Sequence, residues 1–283
     1  GVAEGTSSNQ GRGYVMQRIS TANTWSQLGN TLCGDPMKII FDSPNNVYCI
    51  LHDKLNSNGD QLYYLSGGTW TLCTLTYLTN NINHDIQDAL IVSDAGADYI
   101  YFINAGANPG NVDRGIYRLK FSSAGSFSDA SITGTTILFP SRDANMISLM
   151  NFGTGTNYKI LIGLQNNNNP TASNFYRASS DFTSNIPINN CNTTNVPEDI
   201  FSSQGVDESL SGVTAIETIK FGGGDGVVYA ATLNENSTSH ETHSHLFRNT
   251  YDNAGVITNP CWQEITNNLP NKAIMCINSA LIS

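Results

Sequence analysis

An all-β fold is what this sequence predicts, on three observations. Helical periodicity is nearly absent, short runs of β-branched and aromatic residues recur, and clusters of Asn, Gly, Ser and Pro separate them. The runs are also self-similar. A first kind of strand reads Met37 to Phe41, Ala89 to Val92, Met146 to Leu149, Ala215 to Ile219 and Ala273 to Ile277, starting 52, 57, 69 and 58 residues apart. A second kind follows the first four, at Val47 to Leu51, Tyr99 to Ile103, Lys159 to Gly163 and Val227 to Ala231.

The third kind carries an aromatic residue after a polar loop: Leu62-Tyr63-Tyr64, Ile116-Tyr117-Arg118, Phe175-Tyr176-Arg177 and Leu246-Phe247-Arg248, with Val15 to Arg18 as a looser first copy. The fourth opens on one large ring, Trp25, Trp70, Phe127, Phe182 or Trp262. A four-stranded unit of this length in tandem is the pattern of a β-propeller. The chain starts with third- and fourth-type strands and ends on a first-type strand, so the two ends are expected to share a blade, with Gly1 to Gly5 as its second strand. Residues 1–283 therefore read as a single five-bladed β-propeller domain closed by pairing of its N- and C-terminal strands, the alternative being part of a six- or seven-bladed ring. Closure removes an otherwise unpaired sheet edge.

Composition narrows the partners. With 23 Asp+Glu against 13 Lys+Arg and only 13% charged residues, the chain lacks the basic footprint that nucleic acid requires, so no nucleic-acid partner is expected. No apolar run approaches the ~20 residues of a spanning helix, and no membrane insertion is expected. Six cysteines, Cys33, Cys49, Cys73, Cys191, Cys261 and Cys276, show no C-x-x-C spacing. Their even number in a Lys-poor, Asn-rich chain suggests an oxidising compartment with disulfides. A secreted or cell-surface location is expected, with any signal removed before Gly1; Asn192-Thr193-Thr194 and Asn236-Ser237-Thr238 are glycosylation sequons.

The third- and fourth-strand residues carry a family likeness. Val228-Tyr229-Ala230-Ala231-Thr232, Leu246-Phe247-Arg248 and Cys261-Trp262, with the shortened hairpins Ser66-Gly67-Gly68-Thr69-Trp70 and Ser20 to Trp25, resemble the Asp-box (BNR, sialidase-like) superfamily of propellers. No copy keeps Ser, Asp, Gly and Trp at the family spacing. The resemblance implies architecture and a hairpin lock, not a catalytic residue.

Sialidases of that superfamily clamp a carboxylate with three arginines, whose planar forks bind it bidentately. Here Arg118, Arg177 and Arg248 occupy one position in successive repeats, as structural repeat residues do, together with Trp25, Trp70, Phe127, Phe182 and Trp262. Other five-bladed rings are glycoside hydrolases with carboxylates at the axial ends of the inner strands. Asp35, Asp88 and Asp143 lie near strand starts, and Glu217 lies within one; the competing reading is that these aspartates cap turns. The segment His240-Glu241-Thr242-His243-Ser244-His245 reads as a polar loop, with a metal site on His240, His243 and His245 as the alternative. A calcium loop at Lys54 to Asp60 fails because Lys54 stands where the first carboxylate belongs. No phosphate-binding or nucleophile-elbow motif occurs, and Gly222 to Gly226 reads as a hairpin loop.

The sequence therefore reads as a non-catalytic binding module on a rigid scaffold, needing no cofactor, that presents long Asn-rich loops to a carbohydrate or protein partner. Asn166, Asn167, Asn168 and Asn169 with His240, His243 and His245 are its binding candidates. A glycoside hydrolase using Asp35, Asp88 and Asp143 is one alternative; a subunit of a larger surface assembly is another.

Overall fold

A computed structural model describes residues 2–4, 12–19, 21–42, 46–52, 60–75, 86–94, 97–104, 115–123, 125–128, 144–151, 158–164, 175–179, 185–187, 212–220, 225–235, 242–252 and 262–265. The fold is all-β: every element among these residues is a strand. The chain divides into two compact units, Gly1–Pro140 and Ser141–Ser283.

The first unit opens with two short ladders, β1 (Val2–Glu4) with β2 (Arg12–Tyr14) and β3 (Met16–Ile19) with β4 (Thr24–Gln27). Only Val15 separates β2 from β3, so one nearly continuous strand pairs first with β1 and then with β4. Val2–Glu4, inside the segment Gly1 to Gly5 expected as a second strand, pairs with β2, and Trp25 lies in β4. The first-type strand expected to complete that blade, Ala273 to Ile277, lies outside the described residues.

A complete antiparallel meander follows: β5 (Asp35–Asp42), β6 (Asn46–His52), β7 (Asp60–Ser66) and β8 (Thr69–Leu72). The next sheet holds β10 (Ile86–Asp94), β11 (Ala97–Asn104), β12 (Gly115–Ser123) and β13 (Ser126–Ser128). It gains a fifth strand, β9 (Thr74–Leu75), which pairs parallel to β13. The repeat did not anticipate β9. It arises because the chain leaving β8 runs on along the outer edge of the next sheet, where the Thr74 N–H donates to the Gly125 carbonyl at 2.8 Å.

The second unit repeats the meander twice, as β14 (Ala144–Asn151), β15 (Tyr158–Leu164), β16 (Phe175–Ser179) and β17 (Asn185–Pro187), then β18 (Gly212–Lys220), β19 (Gly226–Glu235), β20 (Thr242–Tyr251) and β21 (Gln263–Glu264). The fourth strand of the former sheet is described over Asn185–Pro187, and Phe182, expected to open it, lies outside the described residues. Within this unit β14 and β15 pack against β18.

Packing in the first unit explains why its strands read as unbroken apolar runs. Alternate residues of one strand point to opposite faces, and both faces of the β5–β8 sheet are covered. Ile40, Tyr48, Ile50 and Leu62 join Ile86, Ala89, Ile100, Phe102 and Tyr117 of the neighbouring sheet. Cys49, Leu51 and Trp70 instead meet Val15 and Leu32 from the N-terminal segment. Sheets stacked face to face at ~10 Å need apolar residues on both sides.

Candidate functional site

All four complete sheets break register near the start of the first strand. The extra residue is Met37 in β5, Gln87 in β10, Asn145 in β14 and Thr214 in β18. A β-bulge of this kind sets two residues against one and re-aims the side chains before it. In β5 the consequence is chemical. Asp35 stands opposite His52 and Lys38 opposite Ile50. His52 and Ile50 are two residues apart and share a face, so Asp35 and Lys38 share it too. In an unbroken strand, residues three apart would point oppositely.

That face is the one packed on the neighbouring sheet, and the third strand adds to it, because Asp60 of β7 stands opposite His52. Asp35, His52 and Asp60 thus form one row across three strands. Strand spacing puts the two aspartate Cα atoms about 10 Å apart with the imidazole between them. Asp60 is buried, and its Oδ1 is bonded to His52 Nδ1, whose ring is half exposed. Gly34 makes the close approach possible: a Cβ there would collide with the His52 carbonyl oxygen.

From the neighbouring sheet comes Asp88. Its carboxylate is buried, is ion-paired with the Lys38 ammonium across the two first strands, and accepts the Ala89 N–H at 2.9 Å. Lys38 and Asp88 are equivalent, each being the residue directly after the bulge of its own strand. An ion pair plus a backbone donor stabilises the ionised carboxylate. The bulged end of this unit therefore gathers three carboxylates, one ammonium and one imidazole.

Of the sequence candidates, Asp35 and Asp88 belong to this group: Asp35 is the first residue of β5, and Asp88 lies inside β10 with its carboxylate accepting the N–H that follows it. Asp143 and Asn166 to Asn169 lie outside the described residues. Glu217 lies in β18 opposite Tyr229. His240 is outside the described residues, whereas His243 and His245 fall in β20, opposite Asn234 and Thr232. The polar loop expected there is shorter than the sequence suggests, since the long β19–β20 ladder continues into it. Among the described residues no group of three or more His, Cys, Asp or Glu is arranged to hold a metal ion.

The repeat residues hold equivalent backbone positions. Arg118, Arg177 and Arg248 stand opposite Tyr101, Leu161 and Tyr229. The Arg118 guanidinium lies over the Tyr99 ring at 3.8 Å and donates to the Tyr101 hydroxyl at 2.9 Å. Trp70, Phe127 and Trp262 are buried, but Trp25 is 65% exposed. The expected disulfides are not formed by Cys33, Cys49 or Cys73, which are free thiols. Cys49 and Cys73 serve as small apolar core residues, and Cys191, Cys261 and Cys276 lie outside the described residues.

Sequence reasoning missed Lys38, His52 and Asp60. Their only sequence signal is distance from the hairpin between β5 and β6, and the bulge shifts that count by one.

No family model matches the sequence, and no curated protein matches it either. Solved structures similar to the chain include the endo-arabinase from Bacteroides thetaiotaomicron, at 11% identity over 80% of this chain and 77% of that one, with a TM-score of 0.44. The α-L-arabinofuranosidase from Lactobacillus brevis aligns at 9% identity over 80% and 70%, with a TM-score of 0.44. The exo-1,5-α-L-arabinanase from a bovine ruminal metagenomic library aligns at 10% over 86% and 82%, with a TM-score of 0.36. Likeness at this level assigns neither activity nor substrate.

Proposed function

We propose that this protein acts on carbohydrate by hydrolysing a glycosidic bond at the bulged end of β5 and β10. The observation that carries the proposal is the bulge at Met37, which turns Asp35 and Lys38 to one face and lets Lys38 hold Asp88. Glycoside hydrolysis needs carboxylates in unlike environments. Asp88 is buried and committed to an ammonium and an N–H, which suits a fixed negative charge opposite developing positive charge on the sugar. Asp35, at the first position of its strand and only partly buried as a residue although its Oδ1 is shielded, is assigned contact with the substrate or its attacking water through its other oxygen.

The test is release of reducing sugar from arabinan, xylan and galactan, and of nitrophenol from the matching aryl glycosides. Asp35→Asn and Asp88→Asn are each expected to lower kcat/KM by about 10²–10⁴-fold while the circular dichroism spectrum is unchanged. Full activity in both variants overturns the assignment. A non-catalytic glycan-binding role is favoured by one specific feature, the prior engagement of Asp88 by Lys38. It predicts saturable binding of the same polysaccharides with no turnover.

A further inference from the structure

We infer that His52 is a sugar-hydroxyl acceptor whose tautomer is fixed by Asp60, and that with Asp35 it reads a pair of hydroxyls on a neutral saccharide. This rests on the carbohydrate reading above and names how the site selects its ligand. An ionised carboxylate only accepts, so the bond between Asp60 Oδ1 and His52 Nδ1 places a proton on Nδ1. In the neutral ring the remaining nitrogen, Nε2, then carries the lone pair. The ring is half exposed while its anchor is buried, so the acceptor is presented to solvent from a fixed base.

Asp35 stands directly opposite His52 on the next strand and on the same face. Residues opposite each other on adjacent strands have Cβ atoms ~4.5–5.5 Å apart, a separation that neighbouring ring hydroxyls can span. Two acceptors side by side call for a ligand with two donors, which a vicinal diol supplies and an anion does not. The net charge of −10 also disfavours acidic glycans.

Asp60→Asn perturbs this acceptor directly. Its amide can donate to Nδ1, which moves the ring proton to Nε2 with little change in shape. The experiment is calorimetric titration of the full chain with arabinopentaose and xylopentaose at neutral pH, with long-range ¹H–¹⁵N spectra of the histidine rings recorded alongside. Expected are an Nδ1–H signature for His52 and at least tenfold weaker binding in His52→Ala and Asp60→Asn. His52→Gln, whose amide oxygen can accept, is expected to recover part of that loss.

Binding or turnover by the wild-type chain that is unaffected in all three variants overturns the role of His52 and leaves the hydrolase reading standing. An Nε2–H signature in the wild type overturns it as well. Failure of the wild type to bind or cleave either probe, or any polysaccharide of the preceding test, overturns both.

Discussion

At the scale of single residues, the Lys38–Asp88 pair concentrates the energetic risk. The aspartate side chain is 2% exposed and the lysine side chain 41%, so removing the lysine takes the counter-charge from a carboxylate that water reaches poorly. Lys38→Met is expected to destabilise the protein by about 2–3 kcal/mol in urea unfolding, below the range for fully buried pairs because the lysine is partly solvated. The double variant Lys38→Met/Asp88→Leu is expected to recover most of that loss, and a loss equal to the sum of the singles would contradict the pairing. Cys49 makes a second residue-level case. Burial pushes its thiol up to about 12, so it stays neutral in the folded protein where an unfolded thiol ionises near ~8.5. The folded state then holds the proton more tightly, and this contribution to stability is complete below about pH 8.5 and declines as pH rises toward 12. Thermal melts across that range should show the decline, reduced in Cys49→Ala; in native protein Cys33, which is exposed, should alkylate before Cys49 and Cys73.

At the scale of elements, one sequence position meets different fates because its cross-strand partner differs. Trp70 faces Leu65 and Phe127 faces Phe121, both apolar, whereas Trp25 faces Arg18. The connection after β4 also folds over Trp70, whose Nε1–H donates to the Leu28 carbonyl at 3.0 Å and whose backbone N–H donates to Asn30 Oδ1 at 2.6 Å. Both strands of the β3–β4 ladder are exposed over most of their length. Trp70→Ala is therefore expected to cost about 3–5 kcal/mol, and Trp25→Ala less than about 1 kcal/mol. Acrylamide quenching of single-Trp variants should find Trp25 accessible and Trp70 shielded; equal quenching would show that the two rings share an environment.

At the scale of the whole molecule, the acidic balance sets colloidal behaviour. The chain has a pI near 4.7, so solubility is expected to be lowest near that pH and to rise toward neutrality as net charge grows. Light scattering across pH 3.5–7 would check this, and a minimum above pH 6 would mean that acid groups are extensively neutralised. The unbroken apolar runs Val47 to Leu51 and Tyr99 to Ile103, with an aromatic residue opening each fourth strand, were enough to announce strands, meanders and their repetition. These are local consequences of side-chain direction and turn chemistry, and they survive in any arrangement of the sheets. Asp35 and Asp88 could be read as candidates because acids near strand starts are visible along the chain. Lys38, His52 and Asp60 could not, because their meeting depends on a bulge, on registers across β5, β6 and β7, and on the approach of β10 from another sheet. Which aromatic is buried, which cysteine is inert and which aspartate holds a lysine were all decided by tertiary packing, since each depends on a partner distant in sequence.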